Sequence, residues 1–454
     1  METLLSVGID LGTTTTQMVV SKLQIENTAN AFSVPRMEIQ NREIVYRSAV
    51  YETPLLSSDT LDAFEIERII RKEYAAANIT PDQVQTGAVI ITGETARKEN
   101  AKQVLEALSD LAGDFVVATA GPALESVLAA KGAGADLYAK TEGCTVLHMD
   151  IGGGTSNLAL IYDGQILSTA CLNVGGRLVK YDGAGRVYYV SPVLQGLVTY
   201  GVGDVISQKQ LAETAKLLAG ALEMAAGLRR PTQLLNRLTT FGTKPLPPVQ
   251  DVIISFSGGV ADCIATALPW DSFGDVGPLL GQAILESDLC KGGYRLGSET
   301  IRATVIGAGC HSAQLSGSTV YYSHVQLPLK NLPVASISAR EQDLPHEALV
   351  ALIAQRLDQQ EQVLALPGWK APGYGQVTAL ADAIAGAMEG RACYIVLEED
   401  MAKALGHALS LRLSPGAPCL CIDRVRMPPD SYLDVGAPVG PALSVVVKTL
   451  ILSH

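Results

Sequence analysis

Two acidic residues, Asp10 and Asp150, each stand at the end of an apolar run and just before a turn rich in Gly and Thr. The segments Ile9-Asp10-Leu11-Gly12-Thr13-Thr14-Thr15-Thr16-Gln17-Met18 and Met149-Asp150-Ile151-Gly152-Gly153-Gly154-Thr155-Ser156-Asn157-Leu158 align without a gap, with Asp, Gly and Thr in step. Backbone N–H groups in such a turn can approach an anion closely, because few side chains stand in the way. Phosphate suits the turn, and a carboxylate beside polyphosphate is useful when a cation stands between them. Mg²⁺ keeps several of its own waters and needs only one or two carboxylates besides phosphate oxygens. Asp10 and Asp150 are therefore expected to be Mg²⁺ handles. Gly12, Thr13 and Thr14 on one side, and Gly152, Gly153, Gly154 and Thr155 on the other, are expected to cradle the β- and γ-phosphates. One glycine-rich turn often does no more than reverse the chain. A second copy in the same strand, turn and strand context is the repeat of a structural unit.

The elements that must position these turns are legible around them. Leu5, Val7 and Ile9 alternate with Ser6, Gly8 and Asp10 as in a strand, and Gln17 to Leu23 reads as the returning strand. Val146 to Met149 and Asn157 to Ile161 repeat that arrangement, and Asp163-Gly164 favours a tight hairpin turn after them. Ile66, Ile69, Ile70, Tyr74 and Ala77 recur at helical spacing, as do Ala101, Val104, Leu105, Leu108 and Leu111. Strands are expected at Ala88 to Thr92 and Phe115 to Thr119. The stretch from Gly175 to Val205 has no clear period and reads as a hairpin or lid. Strands alternating with helices imply an α/β fold in which helices cover sheets. From about Ser338 the character changes, with Leu344-Pro345, Pro367-Gly368 and Pro372-Gly373 marking a boundary before a small α/β unit.

The paired turns resemble the two phosphate motifs of the actin, Hsp70 and sugar-kinase superfamily. Three further segments fall where that superfamily expects them. Ile253-Ile254-Ser255-Phe256-Ser257-Gly258-Gly259-Val260 looks like its adenosine motif, Thr119 to Ala130 like its first connecting helix, and Ile301 to Gly309 like its second. The resemblance implies duplicated actin-like (ribonuclease H-like) ATPase lobes around a nucleotide cleft, with ATP and Mg²⁺ as cofactors. Residues 1–140, completed by about 300–337, would form lobe I, residues 141–299 lobe II, and residues 338–454 a small C-terminal α/β domain. Gly258, Gly259 and Val260 would admit the nucleoside, so that Gly259→Val would fill that space and add a backbone penalty.

Within the superfamily, the Thr run at 13–16, the segment Ile91 to Ala101 and the tail Val445 to Leu450 look most like the reactivating factors of ethanolamine ammonia-lyase. That closer resemblance covers nearly the whole chain. It implies a chaperone-like partner of a cobalamin enzyme in ethanolamine utilisation, one that frees damaged cobalamin so that intact adenosylcobalamin can enter. It places the protein in the cytoplasm, at the ethanolamine-utilisation microcompartment. The chain departs from the Hsp70 pattern at Gly121, where an acidic residue would precede Pro122. Glu94 and Glu125 are the nearest carboxylates and read as solvated helix charges, so slow ATP hydrolysis is expected. A metabolite kinase and a filament-forming actin-like ATPase remain open as alternatives. No Asp has a clear claim as general base for an acceptor alcohol, and sedimentation with ATP would detect a filament.

Composition narrows the partners. Of 454 residues, 46 are acidic and 34 basic, giving a formal charge of −12, and no stripe of Lys and Arg is visible. Nucleic acid is disfavoured on that ground. The eight cysteines are scattered through apolar segments and read as buried thiols, Cys419 and Cys421 included. His148 lies inside the strand that enters the second turn and reads as a hydrogen-bonded core residue. No signal peptide and no bilayer-spanning apolar run are read, which suits a cytoplasmic protein that stays off membranes.

Overall fold

The computed structural model describes residues 2–12, 15–27, 37–57, 60–91, 100–109, 111, 122–240, 243, 246–247, 251–311, 314–316, 319–357, 361–388, 390–427, 431–439 and 442–449. The expected strand at Phe115 to Thr119 falls outside them.

The first hairpin pairs Glu2–Leu11 with Thr15–Asn27, and the second pairs Thr145–Ile151 with Ser156–Tyr162. Each is the core of a sheet built to the same plan. In the first sheet the order is Met37–Arg47, Thr15–Asn27, Glu2–Leu11, Thr86–Ile91, with the last pair parallel and the others antiparallel. In the second the order is Gln165–Leu172, Ser156–Tyr162, Thr145–Ile151, Ile253–Ser257, Tyr294–Leu296, and again parallel pairing begins after the hairpin's first strand. The sequence repeat is therefore a repeat of topology.

Strand parity decides which way each Asp points. Val7, Ile9 and Leu11 turn to a core shared with the helix Ala63–Ala77, so Ser6, Gly8 and Asp10 turn the other way. That inner face is narrow. Ser6 Oγ donates to Gly309 O at 2.5 Å, and a Cβ at Gly8 would stand 2.2 Å from Val305 O. In the second sheet Leu147, Met149 and Ile151 join the main core of that half, leaving His148 and Asp150 on the inner face.

Two helices exchange places between the sheets. Pro122–Gly132 follows the first sheet but packs on the second, and Ala303–His311 follows the second but packs on the first. They cross in direct backbone contact: a Cβ at Gly132 would lie 1.7 Å from Ala303 O, and one at Gly307 would lie 1.9 Å from Leu128 O. These are the two expected connecting helices, and the whole is the expected pair of actin-like lobes with a third sheet added.

The third sheet has the order Gln314–Leu315, Ala442–Thr449, Ser431–Val439, Leu329–Ser336, Val363–Leu366, Cys393–Leu397, Cys419–Ile422, Tyr321–Ser323. Three of its strands lie upstream of residue 338, so this sheet takes in chain that the sequence assigned to the completion of the first lobe. A Pro-containing strand, Leu329–Ser336, has no helical or charged marker of a boundary before it, and the apolar run Leu332 to Ile337 carries the chain into the new core. Cys393, Cys419 and Cys421 are buried there. Among the described residues no helix is long and apolar enough to cross a membrane.

Candidate functional site

Both hairpins end at one cleft of about 330 Å³. Asp10, Gly12, Thr15 and Gln17 line it from the first hairpin, and Asp150, Gly152, Gly153, Gly154, Thr155 and Asn157 from the second. Gly258, Gly259 and Val260 line a further wall. Thr13 and Thr14 lie outside the described residues. The two turns match in detail. Gly12 N–H donates to Thr15 O at 2.9 Å, and Gly152 N–H donates to Thr155 O at 2.9 Å. Asp10 faces Gln17 across the first hairpin as Asp150 faces Asn157 across the second.

The glycines divide into those the fold requires and those it does not. A Cβ at Gly154 or Gly259 would meet nothing within 4 Å, and one at Gly152 would find only Thr155 O at 3.6 Å. None of the three has a positive φ. Gly258 does, at 85°, and its Cβ would lie 2.3 Å from Ile151 O. The backbone penalty that the sequence attached to Gly259 therefore belongs to Gly258, because the strand Ile253–Ser257 turns over Ile151 at that residue before the helix Gly259–Ala265 starts. Gly259 is bare backbone on the wall of the cleft.

Asp150 is tied down through both carboxylate oxygens. Ser257 Oγ donates to Oδ1 at 2.5 Å and Thr304 Oγ1 donates to Oδ2 at 3.3 Å. Burial raises its carboxyl above the ordinary carboxylate range, and the two hydroxyl donors pull it back by favouring the ionised form. Behind Ser257, His148 spans Ser257 Oγ at 2.9 Å from Nε2 and Ser255 Oγ at 3.2 Å from Nδ1. Burial pushes this imidazole down to about 3, so it is neutral at ordinary pH.

Several cleft residues escape a reading of the sequence. Glu125 is not a solvated helix charge: it is 5% exposed, lines the cleft and accepts from Asn157 Nδ2 at 3.0 Å. Its helix is sandwiched between the second sheet and the other connecting helix, so the first-turn face that carries it is turned inward. Glu94 lies outside the described residues. Gln17 Nε2 donates to Ile301 O at 3.1 Å. The remaining amide oxygens, Gln17 Oε1 and Asn157 Oδ1, are buried without a hydrogen-bond partner among the described residues. Within the weakly periodic stretch, Gly176 N–H and Arg177 N–H donate to Gly152 O and Gly153 O at 3.0 and 2.7 Å, which fixes the second turn from behind. Arg177 Nε stands 3.7 Å from Asp275 Oδ2, and Gly277 N–H donates to Asp275 Oδ1 at 2.8 Å. Burial pushes Asp275 up to about 6, with that N–H and the Arg177 charge opposing it. The Gly-Gly-Arg run after an apolar strand is a usable signal for this part of the wall; nothing local points to Asp275.

Mg²⁺ with a nucleotide fits these residues. Among the described lining residues five carboxylates, Asp10, Glu125, Asp150, Asp262 and Asp275, face one cation, Arg177. A polyphosphate alone would meet an excess of negative charge, and a divalent cation bound beside it offsets part of that excess. The orphaned oxygens of Gln17 and Asn157 are acceptors that metal-bound waters would satisfy.

The family model for "Ethanolamine utilisation protein EutA" matches residues 2–453. The chain belongs to the EutA family. Two members named "Ethanolamine ammonia-lyase reactivase EutA", from Salmonella typhimurium strain LT2 and Escherichia coli strain K12, are each 42% identical over 464 residues, covering 98% of this chain and 98% of theirs. Among solved structures, the type II variant of the Aquifex aeolicus Ppx/GppA phosphatase is 11% identical, with a TM-score of 0.40, over 67% of this chain and 99% of that one.

Proposed function

We propose that this EutA-family protein is an ATP-dependent reactivating factor. It binds Mg²⁺ and ATP between its two hairpins and acts on ethanolamine ammonia-lyase, releasing damaged cobalamin so that intact adenosylcobalamin can enter. The observation that carries the reading is the pair of matched Asp-bearing turns on one cleft, in a chain 42% identical end to end to two named reactivases. Action in the cytoplasm, at the ethanolamine-utilisation microcompartment, belongs to the same reading.

Asp10 and Asp150 hold the hydrated metal. Gly12, Thr13 and Thr14 cradle phosphates from one side, Gly152, Gly153, Gly154 and Thr155 from the other. Gly258, Gly259 and Val260 give the nucleoside a wall of bare backbone. When bound, Mg²⁺ supplies charge neutralisation for the phosphates, the larger part of what phosphoryl transfer asks of a site. Glu125, held by Asn157, is the carboxylate that organises water at the start of the first connecting helix, a duty the Gly121 position does not perform. ATP can act on a partner only by favouring one arrangement of the two lobes that the lyase binds better.

The test mixes lyase carrying an adenosyl-free cobalamin with this protein, excess adenosylcobalamin and Mg²⁺, and follows ammonia release. Recovery that depends on ATP is expected. Equal recovery without nucleotide would remove the ATP switch, and no recovery under any condition would remove the partner.

A further inference from the structure

We infer that His148 and Ser257 are positioning residues for Asp150, joined in a one-way hydrogen-bond relay, Ser255 to His148 to Ser257 to Asp150, that decides which carboxylate oxygen is left for the metal. The inference rests on the reading of Asp150 as a metal handle and adds to it the parts of the chain that aim it.

The direction follows from counting protons. An ionised carboxylate can only accept, so the Ser257 hydroxyl proton is committed to Asp150 Oδ1, 2.5 Å away. Ser257 Oγ then has only lone pairs to offer, and the contact at 2.9 Å from His148 Nε2 must be made by an Nε2–H donor. The other ring nitrogen, Nδ1, is met by Ser255 Oγ at 3.2 Å, whose hydroxyl can donate to it. Ser255, His148 and Ser257 are all buried, and the two serines sit two residues apart on one face of Ile253–Ser257, the strand paired in register with Thr145–Ile151. Ser257 is the register partner of Asp150 and Ser255 of His148, so the relay passes between the same two strands three times.

The consequence is a division of labour within one carboxylate. Oδ1 is held from below by a chain anchored in the sheet. Among the described residues Oδ2 is met by the longer Thr304 contact at 3.3 Å, on the side of the connecting helix. The first hairpin has no imidazole at the matching place, since Gly8 stands at the position that aligns with His148. The two metal handles thus differ in at least one part: Asp150 is backed by a buried imidazole, and the aligned position behind Asp10 carries no side chain.

The experiment measures binding of ATP to the full-length protein by calorimetry, once with Mg²⁺ and once with EDTA. Ser257→Ala and His148→Phe are each expected to weaken binding in Mg²⁺ about tenfold, the loss usual for partners that orient a metal ligand, and to leave binding in EDTA unchanged. His148→Gln, whose side-chain amide can place an N–H near the Nε2 position, is expected to recover most of the loss. Mn²⁺ in place of Mg²⁺ gives a second readout, because the paramagnetic resonance signal of the bound ion should broaden in Ser257→Ala. Unchanged Mg²⁺-dependent affinity in Ser257→Ala overturns the inference, as do equal losses in Mg²⁺ and EDTA or a His148→Gln variant as weak as His148→Phe. If the parent protein binds no nucleotide in either buffer, the reading of the cleft fails and the relay's role fails with it.

Discussion

Thr304 and Asp150 meet across the junction of the two halves: the hydroxyl of Thr304 donates to Asp150 Oδ2 at 3.3 Å, although the helix of Thr304 packs on the first sheet and Asp150 ends a strand of the second. The bond therefore links the lobes through the very group read as the metal handle. Thr304→Val should lower the unfolding free energy by about 1 kcal/mol, the net value of one such bond. The deficit should narrow in saturating Mg²⁺ and ATP, where the carboxylate has another partner. Denaturant titrations with and without ligand check this, and equal deficits in both would make the bond purely structural.

Neighbouring glycines should part company. Gly259→Val, whose Cβ meets nothing within 4 Å, should leave stability within about 0.5 kcal/mol of the parent while nucleotide binding is lost. Gly258→Ala should cost roughly 3 kcal/mol, because φ is positive there and the added carbon would press on Ile151 O. Melting curves and nucleotide titrations on the two variants separate the cases. A destabilised Gly259→Val would contradict the open wall.

Glu125→Gln keeps an oxygen that can accept from Asn157, so the fold and ATP affinity should survive. Turnover should fall at least about tenfold if the carboxylate organises the water that attacks. Phosphate release under single-turnover conditions is the measurement, and an unchanged rate would return Glu125 to a structural role.

Asp275 makes a pH prediction. Its carboxyl is raised from 3.8 to about 6 in the folded protein. Between those values the folded state keeps a proton that the unfolded chain has lost, so stability from this group falls as pH rises through the window and levels off above it. Asp275→Asn should flatten that part of the profile. Denaturation midpoints measured from pH 4 to pH 7 (about the span of the two values) check this, and if Asp275 were ionised throughout, both states would have lost the proton and Asp275→Asn would leave the profile unchanged.

Much of this site is legible in the sequence because its backbone is local. Asp10 with Gly12, and Asp150 with Gly152 to Thr155, announce themselves by spacing, and repetition turns a weak motif into a strong one. The connecting helices are legible for the same reason, since their small residues are a packing requirement written into consecutive positions. What escapes depends on distant partners. Glu125 looks like any helix carboxylate until its helix is seen to face the second sheet, and Asp275 acquires meaning only beside Arg177, nearly a hundred positions earlier. Gln17 and Asn157 align in the repeat, but a lone amide in a strand carries no sign of whether its oxygen will find a donor. The start of the third sheet is hidden because Gln314–Leu315, Tyr321–Ser323 and Leu329–Ser336 join strands that come about a hundred residues later or sit beyond an intervening helix.

Where Gly132 meets Ala303 and Gly307 meets Leu128, backbone touches backbone, so at those two points the helices do not interlock as ridge and groove. Such a contact resembles the rivet of a pair of scissors. Sliding or separation breaks it at once, whereas turning about it is the motion least opposed, and a small turn at the rivet becomes a larger displacement at the far rim of each blade. Glu125 and Thr304, one from each crossing helix, line the cleft, so a bound phosphate chain would act over a short arm, and any turn it caused would carry the outer faces of the lobes over a long one. Two glycines thereby set the mechanical advantage of the molecule: a bulkier residue at either would leave the blades sharp and the pivot unseated.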